Sequence, residues 1–344
     1  MANRTAQIIG TGSCLPHRTV TNRELKAMVG NFTPDRASGS LAKKGIDVDS
    51  LDETGLFDEW VKSVTGIRQR HLYAEPQPAF GDTEEVALRA AREAMEVAGV
   101  GPEDLDFIVA ASFTPRFIIP NLACTLAHLV GTSEVGGFVL NTACSGFIDG
   151  LGDAYYRIRS GDYDTILVVA VELLSKVTDY DDPTTAIIFA DGAGAAVLQA
   201  AERGIVSFYS ELDYSVDHIV LEEEGFLRMG GGPLVQRRAV NAMSKAAYAC
   251  LDRSPYQLED IDYIVPHQAN ERITAALAKK MDLPIEKFCS TIETCGNTSG
   301  SSVAIALDKA IKGEVGDHRV ERGSRLLLTS VGGGYTLSAM AIDY

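Results

Sequence analysis

Two stretches of the chain, PEDLDFIVAASFTPR at residues 102–116 and LEDIDYIVPHQANER at residues 258–272, repeat one pattern. Between EDLDFIV and EDIDYIV five of seven letters are identical, and the other two exchange one aliphatic or aromatic residue for another. Each follows a segment with apolar residues at three- and four-residue spacing, EVALRAAREAMEVAG (85–99) and VNAMSKAAYACLD (240–252), which predicts a helix. Each then runs into an apolar stretch that predicts a strand. A helix-strand unit that occurs twice predicts a duplicated α/β fold.

The parallel runs on. The first repeat is followed by GFVLNTACSGF (137–147) and the second, at a similar distance, by KFCSTIETCGNTSGSS (287–302). Each half later supplies an apolar run without alternation, TILVVAVEL (165–173) and RLLLTSVGGG (325–334), as expected of central strands covered by helices on both faces. QAAERG (199–204) reads as a polar connection, which predicts a first half of residues 1–200 and a second of residues 201–344. Two similar halves packed face to face bring their equivalent loops together. One segment, VGNFTPDRASGSLAKKGIDVDSLDETGLF (29–57), has no echo and is polar and loop-rich, so it is expected to be an insertion or lid.

Composition narrows the class. The 344 residues suffice for one large core or two medium ones. Six cysteines, Cys14, Cys124, Cys144, Cys250, Cys289 and Cys295, stand singly without a CxxC pair, which argues against a disulfide framework or a zinc site. A net charge of −16 opposes nucleic acid and anionic membrane surfaces, so an acidic partner requires a local basic patch. The first residues, MANRTAQIIGTGSCLP, match neither a signal sequence nor a membrane span, and a cytoplasmic protein is expected.

Cys144 lies between the predicted strand GFVLN and a helix marked by Phe147, Leu151, Ala154 and Ile158, with Gly161 as its stop. At a helix start the dipole and free amides favour a thiolate, and the small neighbours Ala143, Ser145 and Gly146 admit a substrate, as in a nucleophile elbow. His267 ends an apolar strand, the place where α/β sheets present functional side chains. Asn297 sits in CGNTSGSS, the counterpart of the Cys144 loop. Taken singly, these read as a packed cysteine, a structural histidine and a turn. At equivalent strand ends of a duplicated unit, however, all three can converge on one pocket. SVGGGYT (330–336) adds backbone amides near Gly333 for a developing oxyanion. DGAGAA and MGGGP fit neither a dinucleotide fingerprint nor a P-loop, so hydride transfer and nucleotide hydrolysis are not indicated.

TACSGF, VPHQANERI, GNTSGSSVAIAL, FADGAGAAVL and VGGGYT, in this order across nearly the whole chain, resemble the β-ketoacyl-acyl-carrier-protein synthase III family of the thiolase fold. The resemblance implies a duplicated five-layer αβαβα architecture and a homodimer. It implies that Cys144 takes the acyl group of a thioester, acetyl-coenzyme A or another acyl-coenzyme A, while the amides of Cys144 and Gly333 hold the oxyanion. His267 and Asn297 would bind the malonyl thioester carbonyl of malonyl-acyl carrier protein during loss of carbon dioxide. No metal or redox cofactor is implied, only coenzyme A and acyl carrier protein thioesters as substrates. Asn297, where elongating synthases and thiolases of this fold use histidine, fits the synthase III and chalcone-synthase-like branches, and the ending VGGGYT is unlike the chalcone-type GFGPG loop. Ser330 and Val331, where a biosynthetic thiolase carries a second cysteine, disfavour thiolysis.

The same resemblance implies that Trp60 stacks on the adenine of coenzyme A and that Arg272 binds substrate. Arg237, Arg272, Lys279 and Lys280 would dock the acidic carrier protein, and Ile119 would enter the partner subunit's acyl pocket. Three features depart from the pattern: Val64 replaces an arginine, the loop DDPTTAIIFADG lacks another, and Ile119 stands where many relatives have phenylalanine. The primary expectation is therefore the condensation that initiates fatty-acid synthesis. The alternatives are the same chemistry in specialised, polyketide or quinolone-like metabolism with a non-acetyl donor, and a catalytically silent partner subunit.

Overall fold

The computed structural model describes residues 4–73, 82–215, 218–222 and 225–344. In chain order the elements up to the middle of the chain are β1 (Thr5–Cys14), β2 (Arg18–Thr21), α1 (Asn22–Leu25), α2 (Pro34–Ala42), α3 (Glu53–Thr65), β3 (Gln69–Leu72), α4 (Asp82–Ala98), β4 (Phe107–Ala111), α5 (Leu122–Val130), β5 (Gly136–Leu140), α6 (Gly146–Ser160), β6 (Thr165–Leu173), α7 (Pro183–Ala186) and β7 (Asp191–Ala201). They are followed by β8 (Ile205–Leu212), β9 (Ile219–Val220), β10 (Arg228–Met229), α8 (Gly232–Leu251), β11 (Tyr263–Pro266), α9 (Glu271–Met281), α10 (Ile292–Cys295), α11 (Ser302–Ile311), β12 (Arg325–Gly332) and β13 (Thr336–Asp343).

The repeated letters have a structural reason. Asp104 and Asp260 each accept a backbone N–H from the residue three before, Gly101 and Gln257, both at 2.8 Å, and so shape a 3-10 turn ahead of the strand. Leu105 and Ile261 are buried beneath it. Asp106 and Asp262 then accept the backbone N–H of Thr165 and Arg325, both at 2.8 Å, and each sets the start of the parallel neighbour strand. The repeat therefore encodes the register of β4 with β6 and of β11 with β12.

Five strands form one sheet in the order β1-β7-β6-β4-β5, and four form another in the order β11-β12-β13-β8. The first sheet has two parallel pairs, β5 with β4 and β4 with β6, and the second has one, β11 with β12; each continues into two antiparallel pairs, and an isolated parallel bridge from Ile264 to Phe288 stands where the second sheet echoes β5. The first sheet ends at Ala201 and the second begins at Ile205.

Helices α6 and α11 lie between the sheets. Phe147, Leu151, Ala154 and Ile158 of α6 share one apolar core with Val303 and Leu307 of α11, Val168 and Leu198 of the first sheet, and Leu328 and Met340 of the second. Helices α4 and α5 cover the outer face of the first sheet, and α8 and α9 that of the second. Hydrophobic strand runs covered on both faces thus produce five layers, αβαβα. No helix among the described residues is long and apolar enough to cross a membrane.

Residues 29–57, expected as an insertion or lid, are packed: Val29, Ala37, Leu41 and Leu56 are buried with Phe57 and Trp60 in one cluster, and α2 lies against α3. Gly30 donates its N–H to the Tyr180 carbonyl at 2.9 Å, and Asn31 its side-chain amide to that of Asp181 at 3.1 Å, which ties the segment to the loop before α7. The apolar residues are too sparse for a sequence pattern but share one face once the chain turns.

Candidate active site

Cys144 lies in a 3-10 turn, Ala143–Ser145, that leads directly into α6. Ala143 takes φ 49°, a left-handed conformation costly for a residue with a Cβ, and the sharp bend presents Sγ to a cavity of about 910 Å³. The second half holds the turn in place. Ser330 Oγ donates to the Cys144 carbonyl at 2.8 Å, and Thr336 Oγ1 donates to that of Thr142 at 2.8 Å. Gly332 passes so close that a Cβ there would stand 2.3 Å from the Thr142 carbonyl oxygen and 3.2 Å from the Cys144 nitrogen. Only glycine fits.

His267 follows β11 and Asn297 follows α10, and both are buried yet line the same cavity as Cys144. Asn297 Oδ1 accepts the N–H of Ser299 at 2.8 Å, which leaves its NH₂ as the group available to a ligand. His267 Nδ1 faces Ser302 Oγ at 2.7 Å. The backbone N–H groups of Cys144 and Gly333 both point at Cys144 Sγ, and Ser299 Oγ donates to the sulfur at 3.2 Å. Two amides converging beside a nucleophile are positioned to receive an oxyanion.

Burial sets the protonation states. It pushes the Cys144 thiol up to about 11, aided by the charge of Glu172 and opposed by the Ser299 hydroxyl and the two amides. Burial is the largest of these influences and outweighs the hydroxyl and the two amides that favour the thiolate. Burial also lowers His267 to about 4, so its imidazole is neutral at physiological pH.

Several participants were not singled out from the sequence. Ser299 and Ser302 stand in a stretch whose cysteine, asparagine and glycines drew attention, Ser330 was read only as the residue in place of a thiolase cysteine, and polar hydroxyls carry little signal alone. Glu172 had a legible one, a carboxylate inside the apolar run of β6. It is buried, accepts hydrogen bonds from Ser112 Oγ at 3.5 Å, from the N–H groups of Phe113 and Thr114, both at 3.1 Å, and from Thr114 Oγ1 at 2.5 Å. Burial raises its pKa to about 8.

The residues expected to bind substrate divide. Arg272 lines the cavity with Val64 and donates to the Ser63 carbonyl. Arg237, Lys279 and Lys280 are exposed on the packed pair α8 and α9, and Lys280 Nζ donates to Asn241 Oδ1 at 2.6 Å across it. Trp60 is 8% exposed and lies outside the cavity lining. Its ring packs on Phe32 and Phe57, both in the segment 29–57, with centroids 5.7 and 6.0 Å away. Ile119 is 87% exposed and does not line the cavity of its own chain; its neighbour Ile118 does. Among the described residues no group of three or more His, Cys, Asp or Glu could hold a metal ion.

Family models described as 3-oxoacyl-[acyl-carrier-protein (ACP)] synthase III and as its C-terminal part match residues 138–213 and 251–344. A β-ketoacyl-[acyl-carrier-protein] synthase III of Xanthomonas campestris pv. campestris is 37% identical, with 98% of each chain covered. The crystal structure of 3-oxoacyl-[acyl-carrier-protein] synthase III from Aquifex aeolicus superposes with a TM-score of 0.85 at 33% identity, covering 98% of this chain and 100% of that one. The priming β-ketosynthase of the R1128 polyketide pathway superposes with a TM-score of 0.83 at 30% identity, covering 99% and 96%. With the duplicated five-layer fold and the Cys-His-Asn cavity in hand, this chain belongs to the β-ketoacyl-acyl-carrier-protein synthase III family, acyltransferases of the thiolase fold.

Proposed function

We propose that the protein joins an acyl starter to malonyl-acyl carrier protein by decarboxylative Claisen condensation, producing a 3-oxoacyl-acyl carrier protein that initiates fatty-acid synthesis. The convergence of Cys144, His267 and Asn297 on one cavity, beside the amides of Cys144 and Gly333, carries this reading. Cys144 Sγ attacks the starter thioester, the two amides hold the oxyanion, and coenzyme A leaves as its thiol. The malonyl thioester then takes the vacated space with its carbonyl on the His267 and Asn297 donors. Its carboxylate leaves as carbon dioxide, and the electron pair of the broken bond forms an enolate that those donors stabilise. The enolate carbon attacks the acyl-Cys144 carbonyl and Cys144 is released. The substrates are thioesters of coenzyme A and acyl carrier protein, with no metal or redox cofactor in the scheme.

The exposed cations Arg237, Lys279 and Lys280, with Arg272 at the cavity, form the docking face for the acidic carrier in this reading. Phe117, Ile118 and Ile119, exposed to 46, 80 and 87%, form an apolar projection suited to a second copy of the chain in a cytoplasmic homodimer.

Acetyl-coenzyme A is the proposed starter. A non-acetyl donor in specialised metabolism is favoured instead by Val64, by the covered Trp60 and by the likeness to the polyketide priming synthase. Intact-protein mass spectrometry with acyl-coenzyme A and acyl-carrier donors, wild type beside Cys144→Ala, decides between them. An acetyl adduct lost in the variant supports the initiating role, and loading only by longer, aryl or carrier-bound groups supports the specialised one. Absence of carbon dioxide release from malonyl-acyl carrier protein with every donor overturns both.

A further inference from the structure

His267 and Ser302 form a buried pair, 3% and 2% exposed, in which the imidazole Nδ1 and the hydroxyl oxygen are 2.7 Å apart. The same hydroxyl oxygen accepts the backbone N–H of Gln268 at 3.2 Å. A serine hydroxyl has one proton to donate and lone pairs to accept, and a neutral imidazole has one N–H and one bare nitrogen. Two arrangements therefore satisfy the distance. If Nδ1 carries the proton, Ser302 Oγ accepts twice and its own proton has no acceptor, which leaves a buried donor unpaired at a cost of roughly 1–3 kcal/mol. If Nδ1 is bare, Ser302 donates to it while accepting from Gln268, and every group is satisfied. The second arrangement puts the histidine proton on Nε2.

We propose that Ser302 is a positioning residue that fixes the proton of His267 on Nε2, so that the imidazole meets the cavity as a hydrogen-bond donor and not as a base. Resting on the condensation described above, this assigns His267 to the malonyl carbonyl and the enolate. It also removes His267 as acceptor of the Cys144 proton. In the loading step the bond from the acyl carbon to the donor sulfur breaks, the bond to Sγ forms, and the thiol proton of Cys144 ends on the departing thiol. The exchange balances without a base in the protein.

The test reads the tautomer directly. Protein labelled with ¹⁵N-histidine contains six histidines, and His267 is assigned by the signal lost in His267→Gln. Long-range ¹H–¹⁵N correlations at neutral pH separate a protonated from a bare ring nitrogen. The expected result is a protonated Nε2 and a bare Nδ1 in the wild type, with that pattern lost in Ser302→Ala and restored in Ser302→Thr. Carbon dioxide release from malonyl-acyl carrier protein falls about tenfold or more in Ser302→Ala, a larger loss than in acyl loading of Cys144. A wild type protonated on Nδ1, or a Ser302→Ala variant that keeps both the Nε2 proton and the decarboxylation rate, overturns the proposal. The wild-type spectrum stands even if the alanine variant does not fold. Since it needs no substrate, a protonated Nε2 in a protein that never decarboxylates malonyl-acyl carrier protein sinks the condensation reading and leaves the role of Ser302 intact.

Discussion

Ser330 Oγ donates to the carbonyl oxygen of Cys144 at 2.8 Å, so a strand of the second half holds the nucleophile turn of the first. The contact joins the second sheet to the middle layer, at the point where the end of β12 meets the start of α6. It ties the two halves of the site into one unit: the turn that presents Sγ and the strand whose Gly333 amide faces Sγ are fixed relative to each other.

Replacing Ser330, which is fully buried, by alanine leaves the Cys144 carbonyl without this donor. Stability is expected to fall by roughly 1–3 kcal/mol, the cost of an unpaired buried polar group. Denaturant unfolding measures it, and single-turnover acyl loading should slow in the same variant. Unchanged stability and loading would show that the tie is incidental.

Gly332→Ala tests the close approach itself. The added methyl meets the Thr142 carbonyl at 2.3 Å and must push β12 and the Cys144 turn apart. Loss of one oxyanion donor costs about 10²–10³ in rate, so acyl loading is expected to fall by that order while the protein stays folded by circular dichroism. Loading at the wild-type rate would exclude the Gly333 amide from the oxyanion site.

The raised thiol pKa of Cys144 has a kinetic signature. In a Cys124→Ser background, which removes the exposed cysteine, alkylation of Cys144 by iodoacetamide should keep rising above pH 9 and level off only near 11. Ser299→Ala removes a donor to the sulfur, shifts the curve further up and slows alkylation at any pH below the plateau. A plateau near pH 7 would mean that the amides and helix outweigh burial.

His267 should behave in the opposite sense. Its neutral form is favoured by burial down to about 4, so carbon dioxide release by Cys144→Ala is expected to stay level from pH 8 to about 5, without a step near 6.5. Between the two values the unfolded chain binds a proton that the folded chain refuses. Stability therefore falls as pH drops through this window, and the contribution is absent above it. A decarboxylation profile with a midpoint near 6.5 would contradict the assignment.

Trp60 is the single tryptophan, which makes its cover measurable. Phe32→Ala uncovers one side of the ring, so emission should move to longer wavelength and acrylamide quenching should increase. Coenzyme A is expected to leave the wild-type fluorescence unchanged. Quenching of the wild type by coenzyme A would show that Phe32 moves aside and that Trp60 is the adenine shelf after all.

What the sequence determined by itself is what local pattern can carry. The letters EDLDFIV and EDIDYIV encode a capped turn, a buried residue and an aspartate that sets the next strand, all within a few positions. For that reason the duplicated halves, the strand end bearing His267 and the equivalent loops bearing Cys144 and Asn297 were legible. The family motifs around them extended that reading to the chemistry.

The tertiary structure decided what depends on distant neighbours. Phe32 reaches Trp60 only because residues 29–57 fold back on α3, and no periodicity in that segment announces it. Ser302 meets His267 from 35 residues away and Ser330 meets Cys144 from 186 away. The charge states of Cys144 and His267 follow from desolvation, a property of everything packed around a group. Proximity along the chain specifies turns and strands; protonation and hydrogen-bond direction are specified only when the two halves close over the same cavity.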